Sequence, residues 1–189
     1  TPLTLIFSQV DMLLQSSSLP PTLYNRIVKI SKNATRMRNM ISELLEFRKL
    51  EQNYVSLRVC EQNLVPFLKD IYLSYCELAA QRTISFNLHH EENDVLLWFD
   101  SNQLQKVFYN LLSNAFKYTK PGGVVDLYIS PDENNVHIKV IDTGIGLSSG
   151  DVSRIFDRFY QAENGKQLSK ANPGTGLGLA LSKNIVNLH

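Results

Sequence analysis

Cysteine is scarce in this chain of 189 residues, with only Cys60 and Cys76 present. Two thiols cannot build a disulfide framework, and their spacing does not suit a metal site. They fit two partly buried thiols in a reducing compartment, which points to a cytoplasmic protein. An excess of positive charge is missing as well. Lys and Arg number 19 against 18 Asp and Glu, a formal net charge of +1. That balance argues against a polybasic nucleic-acid binder, and no nucleic-acid partner is expected. No run of about 18 uninterrupted apolar residues occurs, so no segment is expected to span a membrane. The opening residues TPLTLIFSQV lack the basic start and small-residue cleavage site of a signal peptide. With 43% hydrophobic and 20% charged residues, disorder is excluded by composition.

The hydrophobic period changes near residue 52, which predicts two parts. From Leu23, apolar or small residues recur at Ile27, Ile30, Ala34, Met37, Ile41 and Leu44, in alternating steps of four and three. Such a seam marks a coiled coil or a bundle helix. A helix from Thr22 to Leu50 would be roughly 43 Å long at ~1.5 Å per residue. Upstream, Leu3, Phe7, Val10 and Leu14 form a shorter stripe, and QSSSLPPT between the two predicts a break with Thr22 as N-cap. The expectation is a helical hairpin over 1–52 that pairs with a second copy into a dimeric four-helix bundle.

Residues 53–189 have a mixed grammar. Val55–Val59 alternates like a strand, Leu64–Ala80 reads as an amphipathic helix, and Thr83–Leu88 and Val95–Phe99 are short strand-like runs. Asp100 then caps a helix reaching about Tyr118. Pro121, Gly122 and Gly123 turn into a strand over Val124–Ser130, and PDENN leads to a returning strand, Val136–Ile141. The fold class is α+β: a helical hairpin followed by an α/β sandwich with helices on one face of a mixed sheet.

Three constellations carry candidate chemistry. In LQKVFYNLLSNAFKYT, the residues Leu104, Val107, Phe108, Leu111 and Ala115 form a face suited to the sheet. Asn110, Asn114 and Lys117, spaced four and three, line another stripe. Amide oxygens are hard ligands for Mg²⁺ and a lysine suits phosphate oxygens, although a solvated polar edge would look the same. DTGIG, Asp142–Gly146, places a carboxylate at a strand end before flexible glycines. That carboxylate can accept from an adenine amino group, or the segment is a plain turn. In PGTGLGLALSKNIV, Gly174, Gly176 and Gly178 precede an amphipathic helix whose N-terminus can face an anion. No strand leads into it, so a dinucleotide fold is excluded by context, and a lid hinge fits better. Between these lies IFDRFYQ, whose Phe156, Phe159 and Tyr160 could be core and whose Arg158 could pair with a carboxylate or reach phosphates.

Taken in order, these segments resemble the transmitter region of bacterial sensor histidine kinases. NLLSNAFKYT is similar to that family's N box, DTGIG to its first glycine box, IFDRFY to its F box and GTGLGLAL to its second glycine box. TPLT resembles the tail of the phosphoacceptor motif, and ELLEFRKLE is similar to hybrid kinases that carry a receiver domain. The resemblance implies ATP and Mg²⁺ as cofactors, with Asn114 as the metal ligand and Asn110 beside it. Lys117 and Tyr118 would contact phosphates or ribose. Asp142 would hold the adenine amino group in a pocket shaped by Gly144, Ile145 and Gly146. Arg158 and Phe159 belong to the nucleotide-binding set, and about Asp157–Asn172 would form the lid. Gly174, Thr175, Gly176, Leu177 and Gly178 would meet the phosphates.

In such proteins the γ-phosphoryl passes to a histidine on the dimerisation helix and then to a response-regulator aspartate. Catalytic roles would fall to Asn110 and Lys117, and more weakly to Thr1, which stands where dephosphorylation of the regulator is often assisted. The implied partners are a second copy and a receiver domain. Membrane attachment, at the inner membrane, would come only through other segments of the parent protein. None of His89, His90, His137 and His189 falls on the hairpin, and the acceptor is expected four residues before Thr1. The chain thus reads as a transmitter fragment, lacking the family's last strands, that should not phosphorylate itself. The alternatives are a hydrolase of the gyrase, chaperone and mismatch-repair type, disfavoured by Asn110 where those relatives have a general-base Glu, and a dimerising scaffold with a vestigial pocket.

Overall fold

The computed structural model describes residues 2–15, 19–51, 56–91, 94–168 and 174–189, with side chains described for 5–15, 19–49, 56–91, 94–165 and 174–189. Two compact units emerge, Thr1–Glu51 and Gln52–His189. Thr1, the centre of QSSSLPPT and the boundary at 52–53 lie outside the described residues.

The first unit is a hairpin of α1 (Pro2–Gln15) and α2 (Pro21–Glu51). The long helix begins one residue before the expected cap. Proline needs no hydrogen-bonded N–H and its φ suits the first helical position, so Pro21 starts the helix and Thr22 lies inside it. The Pro20 carbonyl accepts from Leu23 and Tyr24 N–H. Val10, Ile27 and Phe47 are buried, and the Arg38 guanidinium lies 4.8 Å from the Phe7 ring centroid. The rest of the seam is not covered within one chain. Leu23, Ile30, Met37, Ile41 and Leu44 are between 41% and 56% exposed.

The second unit runs β1 (Cys60–Asn63), α3 (Leu64–Arg82), β2 (Ser85–His90), β3 (Leu96–Phe99), α4 (Ser101–Tyr118), β4 (Val124–Pro131), β5 (Val136–Asp142), α5 (Ser149–Val152), α6 (Glu163–Leu168) and α7 (Gly178–Leu188). Strands β2, β4 and β5 form one sheet in that order, with β2 and β4 parallel and β4 and β5 antiparallel, while β1 and β3 make a separate antiparallel pair. Alternation sorts the sheet: Phe86, Val125, Leu127 and Ile129 enter the core. Asn87 and Asp126 lie on the other face, where the Asn87 amide donates to the Asp126 carboxylate at 2.8 Å. Leu64, Val65, Leu68 and Ile71 from α3, with Phe108, Leu112, Ala115 and Phe116 from α4, complete the core.

Three expectations shift, each for a local reason. The first strand is Cys60–Asn63; residue 55 of the expected Val55–Val59 lies outside the described residues, and residues 56–59 form no strand, because the Arg58 N–H donates to the Asp100 carboxylate at 2.8 Å instead of to a ladder partner. Strand β2 begins at Ser85 because Thr83 is a left-handed C-cap (φ 54°) and Ile84 N–H donates back to the Ala79 carbonyl. On α4, Leu112 and Phe116 fill the core, whereas Val107 is buried outside that cluster and Leu111 is half-buried, because α4 also packs against α7. Among the described residues, no helix is long and apolar enough to cross a membrane.

Helix α4, which carries the polar stripe, is anchored at its start by Asp100. This buried carboxylate accepts from Gln103 N–H at 3.1 Å and from Arg58 N–H. The Asp100 N–H donates to His189 Nε2 at 3.1 Å, tying the helix start to the end of α7. Burial alone would raise the Asp100 pKa. The N–H groups of Arg58, Gln103 and Asn102, with the nearby His189, outweigh it and hold the carboxyl below its ordinary value. Asp100→Ala is therefore predicted to cost about 1–2 kcal/mol near neutral pH. Asp100→Asn keeps a capping oxygen but not the charge. Its stability deficit is expected to be full above the ordinary carboxylate pKa and to shrink as pH falls through the lower native value, read from thermal midpoints of both proteins against pH.

Candidate functional site

Helix α4 presents Asn110, Asn114 and Lys117 along one stripe and ends at Tyr118. Each later motif reaches this stripe through a glycine. At the end of β5, the exposed Asp142 accepts the Gly144 N–H through Oδ1 at 2.9 Å. A Cβ on Gly144 would stand 2.5 Å from that oxygen and 2.9 Å from the Tyr118 carbonyl oxygen, so only glycine lets the loop approach the helix end. Thr143, between them, exchanges backbone and side-chain hydrogen bonds with Val124, fixing the carboxylate to the sheet. Ile145 is half-buried and Gly146 turns the chain at φ +65°.

The second glycine box approaches the same helix. A Cβ on Gly174 would lie 3.6 Å from Lys117 Nζ, and one on Gly178 would lie 2.3 Å from Asn110 Oδ1. The Asn110 amide nitrogen donates to Ser182 Oγ, a turn further along α7, at 2.9 Å. Gly165 of α6 sits against the Tyr118 ring, its hypothetical Cβ 3.3 Å from Cε1, while Lys117 Nζ lies 5.1 Å from that ring's centroid. Among the described residues, none hydrogen-bonds to the half-buried Asn114 carboxamide.

The segment between the F box and the second glycine box is tied at its base. Phe159 N–H donates to the Gly176 carbonyl at 2.9 Å and Gln161 Nε2 to the Gly174 carbonyl at 2.8 Å. Phe159 holds φ +61° and Gly176 φ +76°, with the Phe159 backbone 2.7 Å from where a Gly176 Cβ would stand. The Phe159 side chain is exposed, as are Phe156 and Arg158, so this motif is not core. Tyr160 donates to Asp151 at 2.6 Å. Asp151 closes a capping box with Ser148, and hydrogen bonds from Ser148 and then Tyr160 lower its pKa. Residues 169–172 of the expected lid lie outside the described residues.

Two residues of the second box take roles that spacing did not suggest. Leu177 is fully buried and its N–H donates to Thr175 Oγ1 at 3.3 Å, so its side chain serves the core. No side chain caps α7, and the first-turn N–H groups that follow Leu177 lack partners within the helix. Gln161, Ser182 and His189 were not among the expected site residues; nothing in their spacing marks them, since each acts by a contact distant in sequence.

The donor set suits a nucleotide held with Mg²⁺. Among the described residues there is no cluster of three or more His, Cys, Asp or Glu able to hold a metal. Mg²⁺ keeps much of its water and takes one or two protein ligands beside phosphate oxygens, which a carboxamide such as Asn114 satisfies. An exposed acid and a lysine at the Tyr118 end of α4, with an uncapped helix start at the Asn110 end, offer groups of the kinds that a purine and its phosphates need.

Comparison with known proteins agrees with this geometry. Residues 99–189 match the family of histidine kinase-, DNA gyrase B- and HSP90-like ATPases. Histidine kinase P4 of Formosa agariphila is 36% identical over 190 residues, covering all of this chain and 14% of that protein. Sensor histidine kinase RcsC of Escherichia coli is 32% identical over 189 residues, again covering all of this chain and 20% of that protein. Full-length ShkA in complex with AMPPNP superposes with a TM-score of 0.80 at 21% identity, over 99% of this chain and 38% of that one. The chain thus spans a minor part of each relative. The family match and the relatives support one assignment: residues 99–189 form an ATPase-type catalytic region of the histidine kinase kind.

Proposed function

We propose that this chain is the transmitter segment of a two-component sensor histidine kinase, binding Mg-ATP for transfer of the γ-phosphoryl to a histidine outside these 189 residues. The observation that carries this reading is the convergence of three glycine contacts, from Gly144, Gly174 and Gly178, on the polar stripe and end of α4. Asp142 accepts from the purine amino group, and its fixed bond from Gly144 orients the carboxylate. Asn114 holds Mg²⁺, which neutralises phosphate charge when bound. Lys117 and the α7 N-terminus face the phosphate oxygens, while Gly165 of α6 packs against the Tyr118 ring. Little covalent chemistry is asked of these residues; positioning and charge compensation supply the rate. The subsequent acceptor is a response-regulator aspartate.

Dimerisation through the hairpin belongs to the same reading. The half-exposed seam of Leu23, Ile30, Met37, Ile41 and Leu44 supports it, because a contiguous apolar stripe of this length on one helix marks a protein contact.

Two outcomes are expected. Asn114→Ala and Asp142→Ala, both folded by circular dichroism, should each weaken Mg-ATP binding by at least about tenfold in calorimetric titration, the scale of losing a charge-assisted contact. Unchanged affinity in both would remove the proposed site. Ile30→Asp together with Ile41→Asp should convert a dimer into a monomer by light scattering while leaving Mg-ATP affinity unaltered. A persistent dimer would place the contact elsewhere.

A further inference from the structure

Asn110 is a primary amide, and its two ends are chemically opposite: one donates two N–H groups, the other accepts. Its Nδ2 donates to Ser182 Oγ at 2.9 Å. That commitment leaves Oδ1 against Gly178, the first residue of α7, where a Cβ would stand only 2.3 Å from it. Ser182 is 5% exposed, and a buried hydroxyl needs a hydrogen-bond partner. Gly178 and Ser182 lie four apart and therefore on one face of α7, so the amide is gripped at both ends by one helix. The absence of a side chain at Gly178 lets α7 come close, and the hydroxyl at Ser182 holds the amide there by a hydrogen bond.

We infer that Ser182 is a positioning residue of the nucleotide site: its hydroxyl anchors the Asn110 carboxamide, whose oxygen lies against the second glycine box. The inference rests on the proposed Mg-ATP site. Asn110 lies one helical turn from Asn114, so a carboxamide held still there keeps the neighbourhood of the proposed cation and phosphates preorganised. Without the hydroxyl the amide loses its anchor and that order is lost. The effect falls on the phosphate and metal end of the ligand and spares the purine end at Asp142.

The test is calorimetric titration of the folded chain with Mg-ATP and, separately, with AMP, which presents the purine and a single phosphate. Ser182→Ala should weaken Mg-ATP by roughly two- to tenfold, the scale of one net hydrogen bond, and leave AMP affinity unchanged. Asn110→Ala should show the same split, and the double variant should be no weaker than Asn110→Ala, because the hydroxyl acts only through that amide. Ser182→Thr, which keeps the hydroxyl, should restore the Mg-ATP preference. Unaltered Mg-ATP affinity in Ser182→Ala, or equal losses for both ligands with a lowered melting temperature, would overturn the inference, as would additive losses in the double variant. Asn114→Ala, titrated in parallel, separates the two levels. If it weakens Mg-ATP while Ser182→Ala does not, only the positioning role fails; if it has no effect, the nucleotide site itself fails.

Discussion

Three glycines touching one helix are the constraint on which the rest depends. Gly144 lies against the Tyr118 carbonyl, Gly174 near the Lys117 ammonium and Gly178 against the Asn110 carboxamide. A side chain at Gly144 would meet the Tyr118 carbonyl 2.9 Å away, so its loop would have to retreat, and one at Gly178 would displace the Asn110 carboxamide. Helix α4 therefore works as a spine. One side is fixed in the core by Phe108, Leu112, Ala115 and Phe116, and another is approached by both glycine boxes. Rigidity on the first side is what makes placement on the second accurate.

The base of the lid obeys a related rule. Phe159 takes a left-handed backbone conformation that costs free energy for a bulky residue, and the neighbouring Gly176 shares that region without the penalty. Two hydrogen bonds across this point, from Phe159 N–H and the Gln161 amide, hold the two ends of the segment together.

Much of this was legible in the sequence, and the reasons for what was not are physical. The hairpin seam and the polar stripe of α4 are periodic, so spacing reveals them, while the boxes are contiguous and are read through their resemblance to a known family. The first strand was misplaced because its alternation precedes the point where Asp100 captures the Arg58 N–H, a contact 42 residues distant. Leu111 was expected on the sheet face because the pattern of α4 has apolar residues on two sides, and only the docking of α7 decides which is which. The short helices α5 and α6 have too few turns to show a period. Ser182 and Gln161 are ordinary polar residues in sequence, and their importance exists only in the folded contact.

The central claim is that the stripe on α4 and the loops brought to it form one nucleotide site. The most direct measurement is a titration of Mg-ATP into the ¹⁵N-labelled chain, followed through backbone amides and the side-chain amides of Asn110 and Asn114. The account predicts saturable shifts concentrated at Asn110–Tyr118, Asp142–Gly146 and Gly174–Gly178, with the Asn114 side-chain signal responding only when Mg²⁺ is present. Shifts absent from these three segments, or an Asn114 signal indifferent to the metal, would contradict it.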